Sequence, residues 1–186
     1  MREHLGQGHR YEHVVRVARC ADVLAQIHGA DTKKARLAGM LHDLARLYPA
    51  KRLLDECELR GMEIDDFERA NPIVLHARLG AALAQETFAV HDPEILSAIE
   101  KHTVAAPNMS MLDCIVYLAD GLEPGRDFVA RERLWQLACT DLNTAMWATI
   151  AESQRYLQGK GLSIAPQTLA AAKFFGLAKG VSPSLN

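Results

Sequence analysis

The stretch Ala35-Arg36-Leu37-Ala38-Gly39-Met40-Leu41-His42-Asp43 is an apolar helical run that ends in a histidine and an aspartate. On a helix, Ala35, Ala38, Gly39 and His42 share one face. A neutral imidazole and a carboxylate are good ligands for transition metals, and both are costly to bury without a partner. Alone, the pair is as compatible with a satisfied core histidine as with a metal site, so its meaning depends on the rest of the chain.

Helical periodicity continues on both sides of this run and predicts an all-α protein. Cap signals at Asp31, Asn71-Pro72 and Asp92-Pro93 precede apolar stripes. We predict a single-domain helical bundle at 10–175, a short N-terminal extension at 1–9 and a flexible tail at 176–186. The predicted helices are 10–28, 32–46, two short ones within 49–68, one opening at 71–72, one opening at 92–93, one starting at Asn108 or Ser110, and then 126–137 and 141–157.

The composition indicates a globular protein without a nucleic-acid or membrane partner. The 186 residues are 49% apolar and 24% charged with a net charge of −2, and a dedicated nucleic-acid binder would be more basic. No apolar run is long enough to span a membrane, and the N-terminus does not look like a signal peptide. The four cysteines are dispersed, which predicts reduced thiols in a cytoplasmic protein.

Of six metal-ligand side chains on five predicted helices, five lie on the apolar stripe of their own helix, and Asp43 is one residue round from His42. A single such histidine is more often a core residue with a local partner, and an all-α scaffold with buried histidines is one interpretation. Six inward polar groups would each need a partner, whereas one or two shared metal ions would satisfy them together. The sequence therefore predicts one interior metal site formed by His13, His42, Asp43, His76, His102 and Asp120.

The order His…His-Asp…Asp and the residues around it are typical of a known enzyme family. The motifs are Arg10-Tyr11-Glu12-His13, Ala38-Gly39-Met40-Leu41-His42-Asp43, Leu75-His76, Ala98-Ile99-Glu100-Lys101-His102-Thr103, Met109-Ser110 and Tyr117-Leu118-Ala119-Asp120-Gly121-Leu122-Glu123-Pro124-Gly125-Arg126. Together they resemble the HD-domain metal-dependent phosphohydrolases, an all-α HD-type bundle, and within them the YqeK subfamily. The resemblance covers residues 10–175, and the His-His-Glu and Gly-Tyr-Pro motifs of the cyclic-di-GMP branch are absent.

This resemblance implies an activity, a cofactor and a set of site residues. Members of the subfamily cleave diadenosine tetraphosphate (Ap4A) symmetrically into two ADP by attack of a metal-activated water. The implied cofactor is a transition metal, with iron expected, as one or two ions, and a homodimer is compatible with the sequence. His13, His42, Asp43 and Asp120 would hold the first ion, and His76 and His102 would serve the second ion or the phosphates.

The same resemblance assigns the substrate contacts. Thr103 and Arg126 would contact the nucleotide, and Arg46 and Lys101 offer further cations, although Lys101 is more simply a solvated surface lysine. His13, His76, His102 and Asp120 are expected to contact the substrate as well as metal.

Roles in catalysis follow from the chemistry of these groups. Asp43 would bridge two ions, and Asp120 would orient the attacking hydroxide. His76 and His102 would be general acids wherever they do not ligate metal. Arg126 follows a Glu-Pro-Gly break at a predicted helix start, where backbone N–H groups also receive anions.

Three positions depart from the subfamily pattern. Arg46 stands where lysine is frequent, Val104-Ala105-Ala106 replaces a usual glycine, and Lys173 replaces a common asparagine. Arginine and lysine differ as phosphate contacts, so positioning is expected to change at Arg46. The alternatives to an Ap4A hydrolase are a nucleotidase or dNTP hydrolase of the same superfamily and a nucleotide-binding module without catalysis.

Overall fold

The computed structural model describes residues 8–177 and contains ten α-helices within them. The described part of the chain has no β-strand, as predicted for an all-α protein. The predicted extension and tail lie mostly outside the described residues. The helices are α1 His9–His28, α2 Thr32–Leu41, α3 Ala50–Leu59, α4 Asp66–Ala70, α5 Leu75–Phe88, α6 Pro93–Lys101, α7 Met111–Leu122, α8 Arg131–Ala138, α9 Leu142–Gly159 and α10 Pro166–Leu177.

Helices α1 and α2 form a closely packed hairpin. Gly29 ends α1 in the left-handed conformation at φ 73°, and the Asp31 side chain caps α2 by accepting from two backbone N–H groups. Gly39 lies directly on α1: a Cβ there would be 2.9 Å from the Ala18 Cα atom. Only glycine permits this approach, which draws together the two helices that carry the first histidines of the site.

The predicted helix at 32–46 is too long. Helix α2 ends at Leu41, and the chain continues in turns in which Leu44 N–H bonds to Leu41 C=O and Arg46 N–H bonds to Asp43 C=O. These bonds span three residues, so the chain tightens where the helix stops. His42 and Asp43 therefore lie in the exit from the helix, and both are buried.

The starts of the central helices match their cap signals. Asp92 caps α6, with Pro93 in its first turn, and Ser110 opens α7 through a capping box with Asp113. Between the two predicted starts of α7, Ser110 is the correct one. Asn71-Pro72 instead opens a 3-10 turn over Pro72–Val74, after which α5 begins.

Two further predictions are corrected near the C-terminus. The helix predicted at 126–137 begins at Arg131, because residues 123–130 form a loop, so Arg126 is not at a helix start. The sequence patterns also missed α10, whose apolar residues are not confined to one side. The predicted helix at 141–157 is confirmed, with Asp141 as its cap.

The core surrounds α7, which is buried on nearly every side. Ile115, Leu118 and Leu122 of this helix are fully buried, and α1, α6 and α9 pack around it. Because α7 runs through the interior, a polar residue on it is held in the middle of the bundle. Within the described residues, no helix is both long and apolar enough to cross a membrane.

Candidate metal centre

The structure brings all six predicted ligands into one interior site. Four different segments supply the histidines, and α7 supplies Asp120. The histidines and Asp43 are buried, whereas the Asp120 side chain is partly exposed at the floor of an open cavity. The predicted convergence of these helices on one site is therefore seen in the structure.

Asp43 lies between two groups of histidines. Its Oδ2 atom is 3.8 Å from His13 Nε2 and 3.6 Å from His42 Nε2. Its Oδ1 atom is 3.4 Å from His76 Nε2 and 3.8 Å from His102 Nε2. Each carboxylate oxygen thus faces one pair of imidazoles, which is the arrangement of a carboxylate that bridges two sites.

Asp120 completes the first group. Its Oδ1 atom is 3.1 Å from His13 Nε2 and 3.7 Å from His42 Nε2. The first group therefore offers two imidazoles and two carboxylates around one point. The second group offers two imidazoles and the shared carboxylate of Asp43.

Local backbone structure fixes how three of the imidazoles are presented. The Nδ1 atom of His42 bonds to Gly39 C=O at 2.7 Å, and that of His102 bonds to Ile99 C=O at 2.7 Å. Both carbonyls belong to the last turn of a helix, where they lack helical partners. His76 makes the same contact with Ile73 C=O at 2.5 Å. Since a carbonyl only accepts, each Nδ1 carries the proton and each Nε2 presents a lone pair to the centre.

Glu123 orients the His13 ring in the same way, a role that the sequence patterns did not predict. Its Oε1 atom is 3.0 Å from His13 Nδ1, and Arg16 and the Gly125 N–H donate to its Oε2 atom. It is only 2% exposed. A carboxylate behind a ligating imidazole fixes its tautomer and raises its basicity. The signal was present in the Glu-Pro-x-Arg motif, but sequence alone did not show which way Glu123 faces.

The charges of the centre suit cation binding. Burial alone would raise the pKa of Asp43 and of Asp120, but positive charge on the neighbouring histidines when they are protonated, and Arg126 beside Asp120, lower both pKa values below the ordinary range. Burial, with His42 and His76 nearby, lowers the pKa of His102 to about 3. The site therefore presents ionised carboxylates and a neutral His102 imidazole, the protonation states in which these groups ligate metals.

The donor atoms fit transition-metal ions. His13 Nε2 and His42 Nε2 are buried and have no hydrogen-bond partner. His76 Nε2 and His102 Nε2 are 3.1 Å apart, and the Thr103 hydroxyl near both can donate its proton to only one. Buried lone pairs that face one another are unfavourable unless a cation lies between them. Imidazole and carboxylate donors suit iron, manganese, cobalt, nickel and zinc.

A cavity of about 680 Å³ opens above this centre, and three arginines line it. Arg10, which the sequence analysis did not assign, donates to Asp43 Oδ2 at 2.9 Å. Arg126 donates to Asp120 Oδ1 at 2.5 Å. Arg46 has no carboxylate partner within residues 8–177, and burial together with Arg10 lowers its pKa. A half-buried guanidinium beside another arginine favours an anion, such as a phosphate, in the cavity.

Two other predicted substrate contacts have different surroundings. Thr103 lines the cavity beside the second histidine pair, and its contact with the nucleotide stays a prediction. Lys101 is neither in the cavity nor simply solvated, because its Nζ atom donates to the fully buried Asp113 at 2.8 Å. Lys101 therefore stabilises the packing of α6 on α7 and is not a phosphate contact in this structure.

The turn after Thr103 shows how the chain does without its usual glycine. Ala105 adopts the left-handed conformation at φ 58° and is buried. The Thr168 hydroxyl of α10 donates to Val104 C=O at 2.6 Å, which fixes the turn against the last helix. A left-handed alanine is strained unless its surroundings fix it, and here the contact from α10 does so.

Comparison with known proteins identifies the family. The sequence model of the HD domain family matches residues 10–125, which include all six ligand candidates. The chain belongs to the HD domain family. Curated relatives that align with most of this chain confirm the resemblance to the YqeK subfamily.

Two curated relatives and one solved structure illustrate the match. The chain is 36% identical to the "Bis(5'-nucleosyl)-tetraphosphatase, symmetrical" of Halalkalibacterium halodurans, over 87% of this chain and 86% of that one. It is 37% identical to the protein of the same name from Bacillus subtilis, over 86% of each chain. A protein of Clostridium acetobutylicum with a solved crystal structure, described as a "predicted HD superfamily hydrolase involved in NAD metabolism", is 35% identical. It superposes with a TM-score of 0.91, covering 96% of this chain and 93% of that one.

Proposed function

We propose that this HD protein is a metal-dependent hydrolase that cleaves dinucleoside tetraphosphates such as Ap4A symmetrically into two ADP. The observation that carries the proposal is the Asp43 carboxylate between two histidine pairs, at the floor of a cavity lined by three arginines. The carboxylate and imidazoles at the floor can bind cations, and the arginines of the walls can bind a polyphosphate. The names of the full-length relatives support this substrate class.

His13, His42, Asp43 and Asp120 would hold one ion, and Asp43, His76 and His102 would hold a second. When bound, such ions supply Lewis acidity, which neutralises phosphate charge and lowers the pKa of water. We propose iron as the metal. The neutral state of His102, with its Nδ1 proton held by Ile99 C=O, favours a ligand role over that of a general acid.

The chain's own residues position the substrate for water attack. Arg46, which lacks a carboxylate partner within the described residues, would bind phosphate oxygens, and Arg10 and Arg126 lie on the same cavity. The Asp120 carboxylate, held by Arg126 and facing the cavity, would orient the attacking water. Water adds to one phosphorus of the central anhydride, the bond from that phosphorus to the bridging oxygen breaks, and both products leave as ADP.

Turnover of Ap4A by iron-reconstituted protein tests the proposal. The expected result is two ADP per substrate, resolved by ion-exchange chromatography. ATP and AMP would contradict symmetrical cleavage. A panel of dNTPs and nucleoside monophosphates tests the alternative nucleotidase, and binding of Ap4A without any hydrolysis would support the non-catalytic module.

Metal analysis of the purified protein tests the cofactor separately. We expect iron at one to two ions per chain after growth in iron-supplemented medium. Absence of metal at any stoichiometry would support a helical scaffold with buried histidines instead. The boundaries of the domain at 10–175, the cytoplasmic location and the homodimer stay predictions.

A further inference from the structure

Two arginines of the cavity pair with the carboxylates of the candidate metal centre. Arg10 Nη1 donates to Asp43 Oδ2 at 2.9 Å, and Arg126 Nη2 donates to Asp120 Oδ1 at 2.5 Å. The arginine side chains are 29% and 39% exposed, whereas that of Asp43 is only 4% exposed. Each pair therefore joins a cation on the open side of the cavity to a carboxylate of the interior site.

Both arginines contact the first group of ligand candidates and not the second. Asp43 Oδ2 and Asp120 Oδ1 are the two oxygens that face His13 and His42. Asp43 Oδ1 faces the second histidine pair, and within residues 8–177 it forms no ion pair with an arginine or lysine. Two guanidinium charges thus match the two carboxylate charges of the first group only.

A guanidinium on these oxygens opposes the binding of a divalent ion to the same oxygens. The two cations would lie a few ångströms apart and repel each other, and the shared oxygen offers each of them less negative charge. Arginine does not lose its proton in proteins, so the opposition persists at every working pH. Its cost falls on the first ion, because only the oxygens of the first group carry arginines.

A phosphate in the cavity offers the arginines another partner. A guanidinium binds phosphate and carboxylate oxygens with the same planar, bidentate geometry. Arg10 and Arg126 both line the cavity and are partly exposed, so their side chains can turn toward an anion there without disturbing the core. Each arginine that moves onto a phosphate leaves a carboxylate oxygen free for metal.

We propose that Arg10 and Arg126 couple binding of the first ion to binding of the anionic substrate. They hold Asp43 and Asp120 while the cavity contains no phosphate and release them when phosphate binds. Metal and phosphate then strengthen each other's binding by the same factor, as linkage requires. Both arginines are positioning residues here, since they act on the metal through the carboxylates. The choice of phosphate rests on the proposed function, whereas the competition between arginine and metal does not.

Calorimetric titration with manganese(II) measures the competition directly. Arg10→Gln removes one positive charge and should lower the Kd for manganese by about 10-fold or more, the effect of a unit charge a few ångströms from a divalent ion even in a water-like dielectric. Arg126→Gln should lower it in the same way. Arg10→Lys keeps the charge and should stay within about threefold of the wild type.

The sign of the change distinguishes competition from simple support. If Arg10 only orients Asp43, as partners behind metal ligands do, Arg10→Gln raises the Kd for manganese, and that result overturns the proposal. Arg19→Gln is the matched control, because Arg19 is exposed on α1 and does not line the cavity. It changes the net charge equally and should leave the Kd unchanged. Equal decreases in Arg10→Gln and Arg19→Gln would reduce the effect to net charge and also overturn the proposal.

Sulfate tests the coupling, because it resembles phosphate in shape and charge but binds manganese weakly in solution. At equal ionic strength, replacing chloride with sulfate should lower the Kd for manganese in the wild type, and by a smaller factor in Arg10→Gln. The same factor in both proteins, including no change in either, overturns the coupling.

These measurements do not depend on turnover. Protein that shows the expected manganese Kd values but does not hydrolyse Ap4A would refute the proposed function and leave the competition standing. Protein that hydrolyses Ap4A but has the same manganese Kd in the wild type and in Arg10→Gln would refute the coupling alone.

Discussion

At the scale of single residues, the centre depends on where hydrogen-bond donors and lone pairs face. Three imidazoles donate Nδ1–H to backbone carbonyls three residues earlier, and His13 faces Glu123 instead. The Nε2 lone pairs that remain all face the two aspartates. This polarity makes the four histidines two pairs of potential metal ligands, one on each side of Asp43.

Replacement of Asp43 by asparagine should remove metal binding while the fold persists. The amide keeps the shape of the carboxylate but loses the charge that both histidine pairs share. The number of metal ions per chain, measured by mass spectrometry, should fall below that of the wild type because both ions lose a ligand. Ap4A turnover should fall to that of metal-free protein. Asp66→Asn, an exposed site on α4, is the control, and wild-type turnover in Asp43→Asn would refute the assignment.

Replacement of Glu123 by glutamine should weaken metal binding by about 10- to 100-fold, the usual effect of removing the partner behind a ligating histidine. The amide no longer holds the Nδ1 proton of His13 and the Arg16 guanidinium with a full negative charge. Competition with a chelator gives the affinity. The matched control is Glu12→Gln, because Glu12 also contacts Arg16 but is exposed. Equal affinities in the two variants would contradict this role.

At the level of secondary structure, the ends of helices position the site histidines as much as the middles of helices do. His42 and His102 each follow the last residue of a helix, so their rings reach back to carbonyls that the helix leaves unpaired. The close packing of α1 on α2 at Gly39 then sets the separation of His13 from His42. The centre is thus sensitive to how these two helices approach.

Gly39→Ala should destabilise the protein by about 1–3 kcal/mol, the usual cost of overpacking a core. The added Cβ would lie 2.9 Å from Ala18 Cα, a backbone atom that cannot move away by itself. Denaturant unfolding measures the free energy, and metal affinity should fall as α1 and α2 separate. Gly159→Ala on α9 is the control, because nothing lies within 4 Å of its Cβ position. Unchanged stability of Gly39→Ala would show that α1 and α2 adjust freely.

At the scale of the whole molecule, the apolar core and the polar centre are separate sources of stability. The core around α7 is formed by apolar side chains from α1, α6 and α9, and none of the six ligand candidates belongs to it. The centre opposes folding when it is empty, because it buries facing lone pairs. We therefore expect metal binding to add stability to a chain that folds without it.

Removal of metal by a chelator should lower the melting temperature and leave the helix content unchanged. With free metal at 100 times its Kd, binding contributes about 2.7 kcal/mol, and each kcal/mol shifts the melting temperature of a chain of this size by roughly 2–4 °C. We expect a fall of roughly 5–10 °C by differential scanning fluorimetry. Loss of far-UV circular dichroism at 25 °C on chelation would show instead that folding requires metal.

Features that depend on a few neighbouring residues could be predicted from the amino-acid sequence. Helical periodicity, the Asp31, Asp92 and Ser110 caps and the polar residues on apolar stripes indicated an all-α bundle with an interior site, since these depend on local geometry. The same patterns misplaced the end of α2 and the start of α8, because tertiary contacts determine where the chain departs from helical geometry at these points. Tertiary packing is what places Asp43 between two histidine pairs, brings Glu123 to His13 from 110 residues away, and makes α9 one side of the cavity. These arrangements depend on how helices that are far apart in the sequence pack together. A pattern within one helix shows which of its faces is apolar but not how far that face lies from the face of another helix.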